Sequence, residues 1–198
     1  MASTDGERQP TVTISQDTVI LVYQEDGTLY KRLYPYGDAD WEAIEVLVPG
    51  EYPDVVVQGS KLWLLWTDAG KIYYANSYDG GRTLTVPAIL INGVTIPGAA
   101  TLSNGFLGVA CLNVNTIVYT TEVDGFILQI PIAVTTVTPL GIVSCSHEDR
   151  VFVGWVDAET AKYSYSDDNG VTWSTVSTLG TYTGISFLDL PTGHLLAR

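Results

Sequence analysis

One spacing constrains the fold of this chain more than any other feature. Short apolar segments recur about every 44 residues, and the second segment of each repeat begins near Val19, Leu62, Phe106 and Val151. Each repeat holds four runs of alternating or β-branched residues, separated by turn-forming Gly, Asn, Asp and Pro. We find no stretch with helical periodicity. The chain has 198 residues, 46% of them hydrophobic, so the sequence predicts an all-β protein with a substantial core.

Four strands in a repeat of about 44 residues are typical of a propeller blade, which is one four-stranded antiparallel sheet. We therefore predict a β-propeller domain over residues 11–198, with four complete blades and a two-stranded fifth, after a flexible arm over residues 1–10. A β-sandwich is the alternative, but nothing in a sandwich requires a fixed period. The predicted modules span about residues 11–48, 54–91, 99–135 and 141–179, with a partial module over 184–198.

The predicted loop between the third and fourth strands of a repeat carries the most informative motif. Residues 166–173 read S-D-D-N-G-V-T-W, and residues 77–84 read S-Y-D-G-G-R-T-L. Both loops fit the pattern S-x-D-x-G-x-T, but Leu84 replaces the tryptophan found at Trp173. Asp and Asn side chains bond the backbone of a tight turn, and Gly tolerates the positive φ that such a turn needs. An ordinary Asn-Gly hairpin is the simpler interpretation of such a loop taken alone.

The two loops resemble the Asp-box, or BNR, repeat of sialidase-like β-propellers, which lies between the third and fourth strands of a blade. The resemblance implies a structural turn away from a catalytic face, so we expect these side chains to fasten a blade. The loops at residues 121–128 and 34–41 keep only fragments of the pattern. The predicted Asp-box residues are Ser166, Asp168, Gly170, Thr172, Trp173, Ser77, Asp79, Gly81 and Thr83.

A catalytic member of that family would need three arginines that grip a carboxylate, a tyrosine nucleophile paired with a glutamate, and an aspartate acid/base. No arginine of this chain lies inside a predicted first strand, where the resemblance would place them. A catalytic propeller of the family also has six blades, more than a chain of this length forms. We therefore predict a protein that is not an enzyme, with no catalytic residue, no metal site and no cofactor.

Three acidic residues occupy equivalent turns between predicted second and third strands, on the face opposite the Asp-box loops: Glu25, Asp68 and Asp157. In a propeller, rotation about the axis would bring them into an acidic ring. Such a ring could hold Ca²⁺, carry paired carboxylates for glycoside hydrolysis, or line a passage for polyanions. The simpler interpretation is that turns favour polar residues. The three residues are the candidate binding face.

The charge of the chain narrows its partners. Nine Lys and Arg against 22 Asp and Glu give a formal net charge of −13, which disfavours a grip on nucleic-acid phosphates. Cys111 and Cys145 lie in apolar strand-like runs and are expected to be buried free thiols. The first residues lack the apolar core of a signal peptide, and no segment has the length of a membrane span.

The predicted partial module leaves an unpaired strand edge, which soluble proteins usually cover. We therefore expect a structural or binding propeller that pairs there with another protein or with a second copy. The chain also resembles propeller domains of bacteriophage tails, which implies virion proteins as partners and a virion protein made in the host cytoplasm; a cytoplasmic protein is the alternative. A carbohydrate-binding module that uses Tyr34, Tyr36 and Tyr52 is the second hypothesis, and a glycosidase is the third.

Overall fold

The described strands of the computed structural model lie in antiparallel sheets. The structure describes residues 10–101, 105–122, 125–139, 141–147, 150–181, 187–189 and 195–197. The predicted arm lies outside the described residues except for Pro10, and so does most of the predicted partial module. The chain divides into two compact units, Met1–Asn92 and Gly93–Arg198.

The first unit contains two four-stranded sheets, and in each the order of strands follows the sequence. Short turns join each strand to its antiparallel neighbour, as is usual for sequential strands. The first sheet consists of β1 (Thr11–Ser15), β2 (Thr18–Glu25), β3 (Thr28–Pro35) and β4 (Glu45–Pro49). The second sheet consists of β5 (Glu51–Gln58), β6 (Lys61–Asp68), β7 (Lys71–Ser77) and β8 (Ala88–Asn92).

The second unit repeats this plan and adds one short sheet. Its first sheet consists of β9 (Thr95–Thr101), β10 (Leu107–Asn113), β11 (Thr116–Thr121) and β12 (Ile130–Val134). Its second sheet consists of β13 (Ile142–His147), β14 (Arg150–Asp157), β15 (Thr160–Ser166) and β16 (Ser177–Thr181). A two-stranded sheet of β17 (Phe187–Asp189) and β18 (Leu195–Ala197) follows.

Four consecutive four-stranded antiparallel sheets, each one repeat long, are the blades of a β-propeller. The predicted fold class is therefore confirmed. Within the first unit, the apolar core lies between the two blades, because the inward-facing residues of β2 and β3 meet those of β5, β6 and β7. This core contains Ile20, Val22, Leu29, Leu33, Val55, Leu62, Leu64, Trp66 and Ala75.

The fourth strand of each blade begins later than the apolar pattern of the sequence predicts. The predicted starts are Trp41, Leu84, Ile127 and Trp173, and the observed starts are Glu45, Ala88, Ile130 and Ser177. In the second blade the pattern predicts a strand from Leu84, whereas β8 begins at Ala88. The Thr85 N–H donates to the Asn76 carbonyl at 2.8 Å, and the chain then leaves the ladder until β8. Pro87, which has no N–H to donate, lies in this gap.

The third blade begins earlier than the predicted start near residue 99, because β9 starts at Thr95. The register between β9 and β10 shifts between Ala110 and Leu112, so a local irregularity lets the longer strand pair. Gly98 permits a close approach of β9 to β13: a Cβ built on it would lie 2.8 Å from the Ile142 carbonyl oxygen. A turn-like Pro-Gly pair in the sequence is thus part of a strand.

Neither cysteine forms a disulfide bond. Cys111 is buried in β10 as predicted, and burial raises the pKa of its thiol to about 12. Cys145 in β13 is only partly buried, although the sequence predicts a buried thiol.

Candidate functional site

The loop between β15 and β16 is closed by its own side chains. Ser166 Oγ donates to Asp168 Oδ1 at 2.7 Å and accepts the Gly170 N–H at 2.8 Å. Asp168 accepts the Thr172 N–H on Oδ1 at 2.8 Å and the Thr172 hydroxyl on Oδ2 at 2.7 Å. Trp173 Nε1 donates to the Gly170 carbonyl at 3.0 Å. Gly170 has a φ of 92°, which favours glycine.

The loop between β7 and β8 repeats this network. Ser77 Oγ donates to Asp79 Oδ1 at 2.8 Å and accepts the Gly81 N–H at 2.9 Å. Asp79 accepts the Thr83 N–H at 2.9 Å and the Thr83 hydroxyl at 2.6 Å. Gly81 has a φ of 82°. The shared motif therefore produces the same geometry in both loops.

Hydrogen bonds within each turn stabilise the ionised form of its carboxylate. Hydrogen bonds from Thr83, first from its hydroxyl and then from its N–H, lower the pKa of Asp79 to about 2. The corresponding bonds from Thr172 lower the pKa of Asp168 to about 2. Hydrogen bonds to the charged form favour that form, which explains the direction. Both oxygens of each carboxylate are occupied by groups of the same loop.

Each loop packs on the blade before it in the same unit. A Cβ on Gly170 would lie 2.1 Å from the Tyr119 ring of β11, and a Cβ on Gly81 would lie 3.1 Å from Ile20 of β2. The Tyr119 ring also makes an edge-to-face contact with Trp173, with ring centroids 5.0 Å apart. At Gly170 glycine is needed for close packing as well as for φ, whereas at Gly81 the contact is tight but the end of the Ile20 side chain is flexible.

A lysine that sequence reasoning missed completes the loop of the second blade. Leu84 has no donor to offer the Gly81 carbonyl, but Lys31 of β3 donates to that oxygen at 2.6 Å. The same ammonium donates to the next carbonyl at 3.1 Å and pairs with Glu45 at 2.9 Å. Lys31 is only 2% exposed. On β3 it lies between two buried leucines, and this position is the sequence signal that could have identified it as buried.

Asp157, one member of the candidate binding face, is buried at the end of β14 and is 1% exposed. Its Oδ1 accepts the Thr136 N–H at 3.0 Å, the Thr136 hydroxyl at 2.7 Å and the Val137 N–H at 3.2 Å, and its Oδ2 accepts Lys162 Nζ at 2.7 Å. Burial alone would raise its pKa, but these bonds, led by Lys162, hold the pKa at about 2. The carboxylate fixes the segment that follows β12.

The other two members, Glu25 and Asp68, end β2 and β6 in the first unit. Each faces the next strand across a tight turn, Glu25 opposite Thr28 and Asp68 opposite Lys71. Asp68 is exposed, whereas Glu25 is partly buried. Equivalent turns thus place the three acids in different environments, and a shared acidic ring stays a prediction.

The three described arginines all make contacts within the fold. Arg32 Nε donates to the Glu42 carbonyl at 3.2 Å, and Arg82 pairs with the Glu42 carboxylate at 2.8 Å. Arg150 pairs with Asp167 beside the loop of the fourth blade. The other two arginines of the chain lie outside the described residues.

The three tyrosines of the carbohydrate hypothesis differ in exposure. Tyr36 is 88% exposed. Tyr34 is partly buried, donates to the Asp38 carbonyl at 3.0 Å, and packs against Trp41 with ring centroids 5.6 Å apart. Tyr52 is also partly buried. Tyr36 is therefore the member of this set that presents most of its ring to solvent.

A cleft of about 330 Å³ opens in the first unit, between β4 and the segment that leads from the loop to β8. Buried Trp66 and exposed Val46 both line it, together with Leu84 and the charged Glu45. No sequence motif predicts this cleft. Elsewhere, the described residues hold no group of three or more His, Cys, Asp and Glu side chains placed to bind a metal ion. In the same part of the chain, no helix is long and apolar enough to cross a bilayer.

The sheet order and the loops define the class of protein: a β-propeller of four-stranded blades. No protein-family model matches the sequence, and no curated protein matches it. Solved structures do match in fold. A protein of unknown function from Dyadobacter fermentans has a TM-score of 0.69 and 15% identity, over 95% of this chain and 73% of its own.

Two sialidases are also similar. The Hadza microbial sialidase Hz136 has a TM-score of 0.63 and 12% identity, over 84% of this chain and 45% of its own. A variant of the NanB sialidase from Streptococcus pneumoniae has a TM-score of 0.65 and 14% identity, over 96% of this chain and 38% of its own. The chain thus spans less than half the length of either sialidase. At these identities the likeness concerns the fold.

Proposed function

We propose that this chain is a non-catalytic propeller whose function is binding and assembly. The observation that carries the proposal is the state of Asp157, the most buried acid of the candidate face. A general acid must hold a proton near neutral pH, whereas the pKa of Asp157 is about 2 and both its oxygens accept hydrogen bonds. A catalytic member of the sialidase-like family would use arginines to grip a substrate carboxylate. Arg32, Arg82 and Arg150 instead contact groups of this fold, which also supports the proposal.

In this proposal the loops at residues 77–84 and 166–173 are Asp boxes of the sialidase-like family. Their function is to fasten one blade to the blade before it. The closed networks around Asp79 and Asp168, and the contacts of Gly81 and Gly170 with the preceding blade, support this role.

Assembly would use the two-stranded sheet of β17 and β18. In the described part of the chain, β17 and β18 pair only with each other, so a strand from another chain could pair with an outer edge of this sheet. We extend the proposal to a bacteriophage tail, with other virion proteins or a second copy as the partner. The net charge of −13 suits a surface that lets DNA pass without binding it.

A carbohydrate-binding module is the second candidate. The exposed ring of Tyr36 favours it, because an accessible aromatic face can stack on a sugar. The similarity to two sialidases is consistent with this candidate but is a similarity of fold.

Size-exclusion chromatography with light scattering on the full chain tests the assembly proposal. We expect a concentration-dependent oligomer, or a complex with a protein that co-purifies from the native source. A monomer at all concentrations, with no co-purifying protein, would contradict it.

Turnover of fluorogenic sialosides tests the non-catalytic part, and activity that Asp68→Asn or Asp157→Asn abolishes would contradict that part. Binding to a glycan panel that Tyr36→Ala removes would favour the second candidate.

A further inference from the structure

The tripeptide Asn-Gly-Val occurs twice in this chain, at residues 92–94 and at residues 169–171. An asparagine that precedes glycine can lose its side-chain amide, because glycine has no Cβ to keep its backbone nitrogen away from the asparagine Cγ. The two residues that follow Asn92 and Asn169 are the same, so the local sequence gives both side chains a similar tendency to react. The fold places them in different environments.

The backbone nitrogen that would attack Asn169 is held by the loop of the fourth blade. The Gly170 N–H donates to Ser166 Oγ at 2.8 Å. Gly170 is also buried, and it packs so closely on Tyr119 that a Cβ would lie 2.1 Å from the ring. The loop must therefore open before this nitrogen reaches the Asn169 side chain, and the free energy of that opening slows the reaction.

Asn92 lies in an open environment at the end of β8. Both Asn92 and Gly93 are exposed to solvent. Gly93 follows the last residue of the strand with a φ of 73°, and a Cβ built on it would meet no atom within 4 Å. The end of a strand opens at a lower free-energy cost than its interior, so the Asn92 side chain and the Gly93 nitrogen have the space and the freedom to meet.

We propose that Asn92 is a site of deamidation in the folded protein, with solvent water as the co-reactant. The Gly93 nitrogen loses its proton to hydroxide and attacks Asn92 Cγ. The new C–N bond closes a cyclic imide, the bond from Cγ to the side-chain nitrogen breaks, and that nitrogen takes a proton from water and leaves as ammonia. Water then adds to either imide carbonyl and opens the ring, which gives aspartate or isoaspartate. The net change is the hydrolysis of one amide, without oxidation or reduction.

The product changes the charge of the second blade beside the candidate binding face. Asn92 pairs with Lys71 across β7 and β8, and Lys71 pairs with Asp68 across β6 and β7. Side chains directly opposite each other point to the same face of a sheet. A carboxylate at residue 92 therefore places a second acid beside Lys71, and this row changes from balanced charge to net negative charge. The inference goes beyond the proposed function and does not rest on it.

Peptide mass spectrometry on the full chain tests the inference. The folded chain is incubated in a neutral and in a mildly alkaline buffer, then digested and analysed for aspartate and isoaspartate at each asparagine. We expect Asn92 to react at least about tenfold faster than Asn169, because the loop around Gly170 must open first. The reaction should be faster in the alkaline buffer and should give isoaspartate as well as aspartate, which is the signature of the imide. Equal rates at the two residues, or aspartate alone at residue 92, would overturn the inference.

A parallel incubation in urea removes the effect of the fold and is the matched control. In the unfolded chain Asn92 and Asn169 should react at rates within about threefold of each other, since both precede Gly-Val. If the preference for Asn92 has the same size in the folded and the unfolded chain, the fold is not its cause and the inference is wrong.

Two variants test the two environments separately. Gly93→Ala adds a methyl group beside the attacking nitrogen and should slow the reaction of Asn92 by about tenfold. Ser166→Ala removes the acceptor of the Gly170 N–H and should speed the reaction of Asn169 by about threefold or more. An unchanged rate at Asn92 in the first variant would contradict the imide route, and an unchanged rate at Asn169 in the second would contradict its protection by the loop. These rates are read on the isolated chain, so they are independent of the chromatography, turnover and glycan-binding results.

Discussion

The ammonium group of Lys31 lies 2.6 Å from the carbonyl oxygen of Gly81, and it supplies the bond that the Trp173 indole supplies to the carbonyl of Gly170 at 3.0 Å. Both glycines are buried, and a buried carbonyl without a donor costs about 1–3 kcal/mol. Each loop therefore needs one such donor. One blade obtains it from its own loop, and the other obtains it from the blade before.

Replacement of this lysine tests the contact. Lys31→Met should lower the free energy of unfolding by about 2–4 kcal/mol, because the Gly81 carbonyl loses its donor and Glu45 loses its partner. Urea unfolding followed by tryptophan fluorescence measures the change. Lys71→Met, on a partly exposed lysine at the start of β7, is the matched control and should stay within about 0.5 kcal/mol of the parent.

A double variant tests whether a tryptophan donor, as in the fourth blade, can replace the lysine donor of the second blade. Lys31→Tyr with Leu84→Trp rebuilds in the second blade the pair that Tyr119 and Trp173 form in the fourth. We expect it to be at least about 1 kcal/mol more stable than Lys31→Tyr alone, because the indole restores the donor. Equal stability of the two variants would show that the loops are not interchangeable.

The buried carboxylate of Asp157 provides a second test. Asp157→Asn keeps an acceptor oxygen but loses the ion pair with Lys162, so we expect a loss of about 2–4 kcal/mol in the free energy of unfolding. Amide hydrogen exchange at Thr136 and Val137 should accelerate. The exposed Asp68, at the equivalent turn of the second blade, is the matched control, and Asp68→Asn should change stability by less than about 0.5 kcal/mol. Equal losses in both variants would contradict the role assigned to Asp157.

Stability should depend on pH through the two loop carboxylates. The pKa of Asp79 and that of Asp168 are lowered from 3.8 to about 2 in the folded protein. A lowered folded pKa stabilises the fold above the unfolded pKa, and this contribution is lost as the pH falls from about 4 towards 2. Both side chains are solvent-accessible, so we expect about 1 kcal/mol or less from each. Thermal unfolding between pH 6 and 2 should show a shallower decline in the Asp79→Asn, Asp168→Asn double variant, and an unchanged decline would contradict the assignment.

Because Gly170 packs against Tyr119, we expect one added methyl group at this glycine to destabilise the fold strongly. Gly170→Ala would place a Cβ 2.1 Å from the ring at a φ of 92°, so we expect a loss of about 3 kcal/mol or more in the free energy of unfolding. Gly27→Ala has a similar positive φ but no atom within 4 Å of its Cβ, and should lose about 1 kcal/mol. The difference between the two variants isolates packing from backbone strain. Similar losses would show that the ring moves aside.

The sequence could predict the blades because their information is local. Strand alternation and turn residues repeat within short windows, and the Ser166, Asp168 and Thr172 network closes inside one loop. Lys31 could not be assigned in this way, because its partners lie in a loop some 50 residues later in the chain. A lysine is also usually exposed, so its position on the inward face of β3 was the single local signal.

The candidate binding face could not be fully predicted either, because tertiary contacts decide the environment of its acids. Sequence equivalence groups Asp157 with Asp68, since both end a second strand. What separates them is a tertiary contact, because Thr136 and Val137 reach Asp157 from the segment that follows β12. The cleft beside Leu84 escaped prediction for a related reason, because its walls come from β4, β6 and β7 together with the segment that follows the loop.

The loop of the second blade presents a bond that trypsin would cut in an unfolded chain. The Arg82 side chain is 50% exposed and precedes Thr83. Yet the Arg82 carbonyl accepts a hydrogen bond from Lys31 at 3.1 Å, and the Thr83 N–H donates to Asp79 at 2.9 Å, so the backbone on both sides of the bond is held. A protease binds its substrate as an extended strand and would have to break both bonds first. We therefore expect the contacts that fasten the blade to protect this exposed loop from digestion as well.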